Sequence, residues 1–204
     1  MAAEKIIKPQ SRCVPWATTI VIALAFIAWL FSRTLTEVLI YDRAALLRGA
    51  VWRLWSGHLV HFSIGHLGWD LLVVGITGTW IECARFRGGR LLWVVVPPCI
   101  SLILFFSEPS LARYGGLSGM ATASVIFACL SAWRQHRSRR LLWAAIMTLV
   151  AIKTGVEFAS QSAVFASFEG GEIHAAPLSH LAGACSAIAY SFFVRPPKNK
   201  TGKS

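Results

Sequence analysis

Negative charge is scarce in this chain: it has nine Asp and Glu residues among 204, against twenty Lys and Arg. Charge of either sign makes up only 14% of the residues, while 55% are hydrophobic. A soluble domain of this length needs far more polar surface, so the composition excludes one and points to a chain that crosses a membrane several times. Metal-ligand spacing is also missing. The five cysteines (Cys13, Cys83, Cys99, Cys129, Cys185) lie in or beside apolar runs and read as reduced membrane-core residues without a disulfide framework. There is no His-Glu-x-x-His, no internal repeat, no soluble second domain, and nothing that calls for a cofactor. The net charge of +11 does not mark a nucleic-acid binder, because the basic residues sit in short clusters between apolar runs and form no patch of their own.

What is present is a series of apolar runs. A polar segment, 1–13, precedes the first, Val14 to Phe31, which is long enough to cross a hydrocarbon layer of about 30 Å. A basic start before an apolar run also fits a signal peptide, but the length of the run and the polytopic continuation favour a first span. Residues 32–57 are too polar to span and too rich in Leu and Trp for a free linker, which predicts an interfacial segment. Further spans are predicted from His61 to Ile81, Leu91 to Phe106, Ser118 to Trp133, Leu141 to Phe158, and Pro177 to Val194. Pro97-Pro98 predicts a kink or break in the third. The expected architecture is an all-α bundle of six transmembrane helices over 14–194, followed by a basic tail, 195–204. Nine tryptophans suit an interfacial belt.

The basic residues give the orientation. With the N-terminus inside, Lys5, Lys8, Arg12, Arg85, Arg87, Arg90, Arg134, Arg137, Arg139, Arg140, Arg195, Lys198, Lys200 and Lys203 all face the cytoplasm, fourteen of the twenty. Both termini are therefore expected inside.

One serine stands between glycines at the foot of an apolar run, in Tyr114-Gly-Gly-Leu-Ser-Gly-Met120. A serine hydroxyl attacks only when a base takes its proton, and His180 opens the last apolar run on the same side. From Ser118 to Trp133 a helix is only about 24 Å long, so its outer end starts below the membrane surface. Backbone at that depth needs protein cover or a wet cavity. A helix N-terminus there also offers backbone N–H groups to an oxyanion. Small residues at four-residue spacing, Gly119 and Ala123 on one helix and Gly183 and Ala187 on the other, let the two approach closely. No carboxylate is placed in sequence to orient His180, which suggests a dyad. Lys153 and Glu157 read as a local ion pair. His61, His66 and Asp70 offer either a metal-ligand set or hydrogen bonds to an oxyanion and pocket water. The hydrogen-bonding reading is preferred, with no metal.

These residues together resemble the rhomboid intramembrane serine proteases from about Val51 to Tyr190. The matching elements are Trp52-Arg53, His61 and His66 with a polar residue at 70, Glu82 four residues after Gly78, Gly116-Leu-Ser-Gly119, and His180-Leu-Ala-Gly183. The resemblance implies a Ser118–His180 dyad and an oxyanion hole that uses His66, Asp70 and local backbone N–H such as that of Leu117. It implies structural roles for Trp52, Arg53, His61, Glu82, Gly116, Gly119 and Gly183, and a mobile cap over Ala159–Ala176 with Phe165 and Phe168. Two positions depart from the family pattern: Asp70 stands where many rhomboids carry Asn, and Thr122 where many carry Tyr. Asp70 is then either protonated or paired with His66. The small body and that Asp look like the rhombosortase subgroup of Gram-negative bacteria. That likeness implies an inner-membrane enzyme open to the periplasm, acting on membrane-anchored proteins with a C-terminal Gly-Gly motif, apolar helix and basic tail. A non-catalytic client-binding protein and a small proton-coupled transporter using His61, His66, Asp70 and Glu157 are the competing functions.

Overall fold

The computed structural model describes residues 13–160 and 177–194. The polar start, the basic tail and the expected cap with Phe165 and Phe168 lie outside these residues, apart from Ala159 and Ser160, which end a helix. Helix α1 (Trp16–Leu30) turns by 115° into the short α2 (Ser32–Leu39). Strand β1 (Tyr41–Asp42), α3 (Arg43–Leu47), α4 (Arg53–Ser56) and a 3₁₀ turn (Gly57–Leu59) follow. The long helices are α5 (Ile64–Cys83), α6 (Leu92–Ser107), α7 (Ser118–Gln135), α8 (Arg140–Ser160) and α9 (Pro177–Phe193). Strand β2 (Arg113–Tyr114) pairs antiparallel with β1.

Two stretches are long and apolar enough to cross a membrane alone, Ile64–Cys83 and Arg137–Ser160. A third is added when α1 and α2 count as one bent span, and α6 is a shorter apolar helix. The molecule is turned inside out relative to a soluble protein. Ile20, Leu24 and Ile27 on α1 and Leu149, Ile152 and Val156 on α8 are exposed, while His58, His61, His66, Asp70, Glu82, Glu157 and His180 are buried. An apolar outer surface around a core that also holds ionisable side chains suits a lipid surrounding.

The segment between α1 and α5 is held by its own side chains. The last carbonyls of a helix lack intrahelical partners, and α2 has them met one by one. Arg53 donates to Glu37 O and Ile40 O, both at 2.7 Å, Trp52 Nε1 to Val38 O at 3.1 Å, and Ser56 Oγ to Leu39 O at 2.6 Å. The structural role expected of Trp52-Arg53 is thus the C-terminal cap of α2. Glu82 does the converse for α1: its carboxylate accepts from Thr18 N and Thr18 Oγ1 at 2.7 Å each, where the helix N-terminus carries orphan N–H groups. Arg90 Nε approaches the same carboxylate at 3.3 Å.

Three expectations change. Cys13 and Cys83 are disulfide-bonded, fastening the start of α1 to the end of α5, where the spacing had suggested only reduced thiols. A separation of 70 residues hides such a pair in the sequence. Of the kink or break expected at Pro97-Pro98, the break is absent, and α6 runs through both prolines as one element. Pro98 has no N–H for Val94 O, and Trp55 Nε1 fills that gap at 2.8 Å, with Pro97 O also meeting His58 Nε2 at 3.0 Å. His61 lies before α5, not inside it, because Ser63 is the N-cap and accepts His66 N at 3.1 Å.

Helices α7 and α9 pack most extensively of all. A Cβ on Gly183 would sit 2.1 Å from Gly119 O, and one on Gly119 2.9 Å from Ser179 O. The small-residue faces read from the sequence therefore meet backbone to backbone.

Candidate active site

Ser118 is the first residue of α7, half-buried, and the loop before it is tightly held. The β1–β2 pair anchors Tyr114, Gly116 N–H donates to Gly57 O at 3.3 Å, and the Tyr114 hydroxyl donates to Gly116 O at 3.0 Å. Burial raises the pKa of the Tyr114 phenol, which keeps its proton and remains a donor. Gly116 has φ +128°, and a Cβ there would lie 2.6 Å from His66 Cε1, so both backbone and space demand glycine.

His180 follows Ser179 in α9, and Ser118 precedes Gly119 in α7. Because Gly119 and Ser179 touch across the helix crossing, the serine and the histidine flank one contact. No hydrogen bond joins Ser118 Oγ to the ring among the described residues. Such bonds often close only when substrate is present.

The ring's other nitrogen is engaged. His180 Nδ1 is 2.7 Å from Glu157 Oε2, and Lys153 Nζ is 2.8 Å from the same oxygen and 3.4 Å from Nδ1. The expectation that no carboxylate faces His180 is overturned. Twenty-three residues separate the pair, so nothing local in the sequence joins them. The expected Lys153–Glu157 contact is present, but its oxygen is shared with the imidazole.

On the other side of Ser118, His61 Nε2 and His66 Nε2 approach Asp70 Oδ2 at 3.1 and 3.2 Å, all three buried. Their donor atoms lie within 4.8 Å of one another, close enough to hold a metal ion. Hydrogen bonds account for the same atoms. His61 Nδ1 is 3.1 Å from Leu59 O, a carbonyl, so Nδ1 must carry the proton. His61 Nε2 then reaches Asp70 favourably in two ways. Either the carboxyl is protonated and donates to it, or the ring is an imidazolium and donates to a carboxylate. In both, His66 Nε2–H donates to Asp70. The two arrangements differ by one proton moved across 3.1 Å, and only the first leaves a lone pair on His61 Nε2 for the Leu117 N–H that approaches it.

Leu117 N–H, expected at the oxyanion, points instead to His61 Nε2 at 3.3 Å. That leaves the first amides of α7 itself, Ser118 and Gly119, as the nearest backbone donors to the hydroxyl. His58 escaped notice in the sequence. It is fully enclosed, hydrogen-bonded to Pro97 O and Ser101 Oγ at 3.0 Å, and burial pushes its pKa down to about 4, so it is a neutral packing residue.

Replacing Asp70 by asparagine keeps the shape and an acceptor oxygen but removes the charge and the mobile proton. Loss of one buried charge-assisted hydrogen bond, roughly 1.5–3 kcal/mol, implies a fall in cleavage of about tenfold or more. Near-normal turnover by Asp70→Asn would show that neither charge nor proton at this position is needed.

The serine loop, the buried histidines of α5 and the glycine crossing of α7 on α9 all fall within 48–197, the residues matched by the family model for the Rhomboid domain. The chain belongs to the rhomboid family. No curated protein matches it. Rhomboids are intramembrane serine proteases, and the membership brings with it a bilayer setting and membrane-protein substrates. In this rhomboid, Ser118 and His180 both lie within the matched residues, and the Glu157 carboxylate beside His180 is a contact that the family resemblance did not imply.

Proposed function

We propose that this rhomboid is a serine endopeptidase in which His180 Nε2 takes the proton of Ser118 Oγ as the oxygen attacks a substrate carbonyl. His180 then returns that proton to the leaving amine, and an acyl ester remains on Ser118. The observation that supports the proposal is the close backbone approach of Gly119 to Ser179, the chain neighbours of Ser118 and His180. Ser118 N–H and Gly119 N–H, at the head of α7, stabilise the oxyanion. His66 joins them when its Nε2–H exchanges Asp70 for the oxyanion, with Asp70 and His61 holding its ring.

The proposed setting has six crossings, both termini in the cytoplasm and the serine in a wet pit open to the opposite side. Positive-inside counting and the short α7 support this. We place the enzyme in the rhombosortase subgroup on its small body and on Asp70. Its substrates are then membrane-anchored proteins of a bacterial inner membrane with a Gly-Gly motif before a C-terminal helix and basic tail. Small residues at the cut let the helix unwind into the strand that the site needs.

Co-expression with a tail-bearing substrate tests the proposal. Wild type should release a product whose mass places the cut in or beside the apolar tail, and Ser118→Ala and His180→Ala should release none. A product of the same mass from both variants would contradict it.

A further inference from the structure

We infer that Glu157 is a positioning residue for His180, and that Lys153 sets the charge against which the imidazole titrates. The inference rests on the Ser118–His180 reading above. Helix α8 is otherwise apolar toward the outside: Leu149, Ile152, Val156 and Phe158 are exposed, and among its residues only Trp143 and Glu157 are buried. A lone carboxylate turned inward from such a helix costs too much to stand there without a partner. Two partners meet it on one oxygen: Lys153 Nζ at 2.8 Å and His180 Nδ1 at 2.7 Å.

The consequence for the ring is definite. A carboxylate oxygen accepts, so Nδ1 carries a proton and Nε2 is left with its lone pair, the tautomer a general base requires. When Nε2 takes the serine proton, the imidazolium forms beside a negative charge that does not move. Lys153 acts in the opposite sense. It keeps Glu157 ionised while the ring is neutral, then opposes the second positive charge that appears 3.4 Å away.

Few other groups compete for the ring among the described residues. The facing helix α6 has no charged residue and a single titratable one, Cys99. Helix α7 has Cys129 and, at its far end, Arg134. Strand β2 brings Tyr114 toward Ser179, protonated by burial. The His61–His66–Asp70 group stands on α5 and the loop before it, beyond the Ser118 loop.

The test is the rate of Ser118 labelling by a fluorophosphonate across pH, in membranes, which needs no known substrate. In wild type the rate climbs with pH as the ring loses its proton. Glu157→Gln removes the anion and leaves the cation, so the acid limb should move to lower pH by about one unit. Its plateau should fall on the order of 100-fold, because the tautomer is no longer fixed. Lys153→Met removes the cation and keeps the anion beside the ring, so the limb should move by about one unit to higher pH. Opposite displacements from neighbouring neutral substitutions do not arise from loosened packing. Because Glu157→Gln takes the carboxylate from a partly buried cation and can fail to fold, the double variant Lys153→Met/Glu157→Gln carries the same expectation for the plateau. A plateau unchanged in the double variant, or limbs that move together in the single ones, would overturn the inference. Wild type that takes no label at any pH would instead overturn the serine–histidine reading beneath it.

Discussion

Ser118→Ala is expected to lower cleavage of a tail-bearing substrate by about 10,000-fold or more while the protein still folds and inserts. The change removes one oxygen from a half-buried side chain at the start of α7, and no helix contact depends on it. In the proposed mechanism the chemistry depends on it, because Ser118 Oγ is the atom that attacks the substrate carbonyl. His180→Ala should cost about as much, and combining the two should add little, since a nucleophile without its base and a base without its nucleophile are equally idle. The residual rate in each variant measures binding and the oxyanion donors alone. Quantitative product analysis over a series of substrate concentrations checks this, with membrane levels of each variant matched by immunoblot. Additive losses would mean that the two side chains act separately.

The second large effect concerns a residue that touches no substrate. A Cβ on Gly183 would lie 2.1 Å from Gly119 O, far inside the 3.0 Å limit that real Cβ contacts respect, and the obstacle is backbone. Gly183→Ala must therefore push α9 away from α7. Overpacking of this kind costs about 3 kcal/mol or more when nothing flexible can give. Because Ser118 and His180 flank the same crossing, the displacement also separates the reacting groups, and a shift of about 1 Å costs about 100-fold in rate. Gly155→Ala is the control: it lies on α8 with nothing within 4 Å of the added methyl, and should be neutral or slightly stabilising. Thermal unfolding in detergent and cleavage rates should move together for Gly183→Ala and stay put for Gly155→Ala.

What could be read in advance follows from which forces are local. Apolar runs and their ends are local, and the helices begin and stop within a few residues of the expected limits, α1 at Trp16–Leu30 inside the run Val14 to Phe31 and α9 at Pro177–Phe193. The small-residue stripes on α7 and α9 are local too, and they meet as their spacing suggests. The misses all involve partners distant in sequence. The Glu157 carboxylate reaches His180 across a stretch that includes the expected cap, so a pair four residues apart, Lys153 and Glu157, looked complete by itself. Trp55 supplies the hydrogen bond that Pro98 withholds from Val94 O, so the proline pair does not end the helix. The Leu117 N–H turns to His61, whose place beside the serine loop depends on the N-cap at Ser63 and on the left-handed backbone of Gly116. Cys13 and Cys83 are neighbours where Glu82 holds the start of α1 against the end of α5.

The central claim is that one alcohol and one imidazole, brought together by two glycine-bearing helices, make a reactive pair within the bilayer. The most direct measurement is peptide mass mapping of the adduct formed when membranes carrying the protein are treated with a fluorophosphonate. The account predicts a single modified peptide containing Ser118, absent from Ser118→Ala and strongly reduced in His180→Ala. An adduct on any other residue, or labelling that persists undiminished in Ser118→Ala, would contradict it.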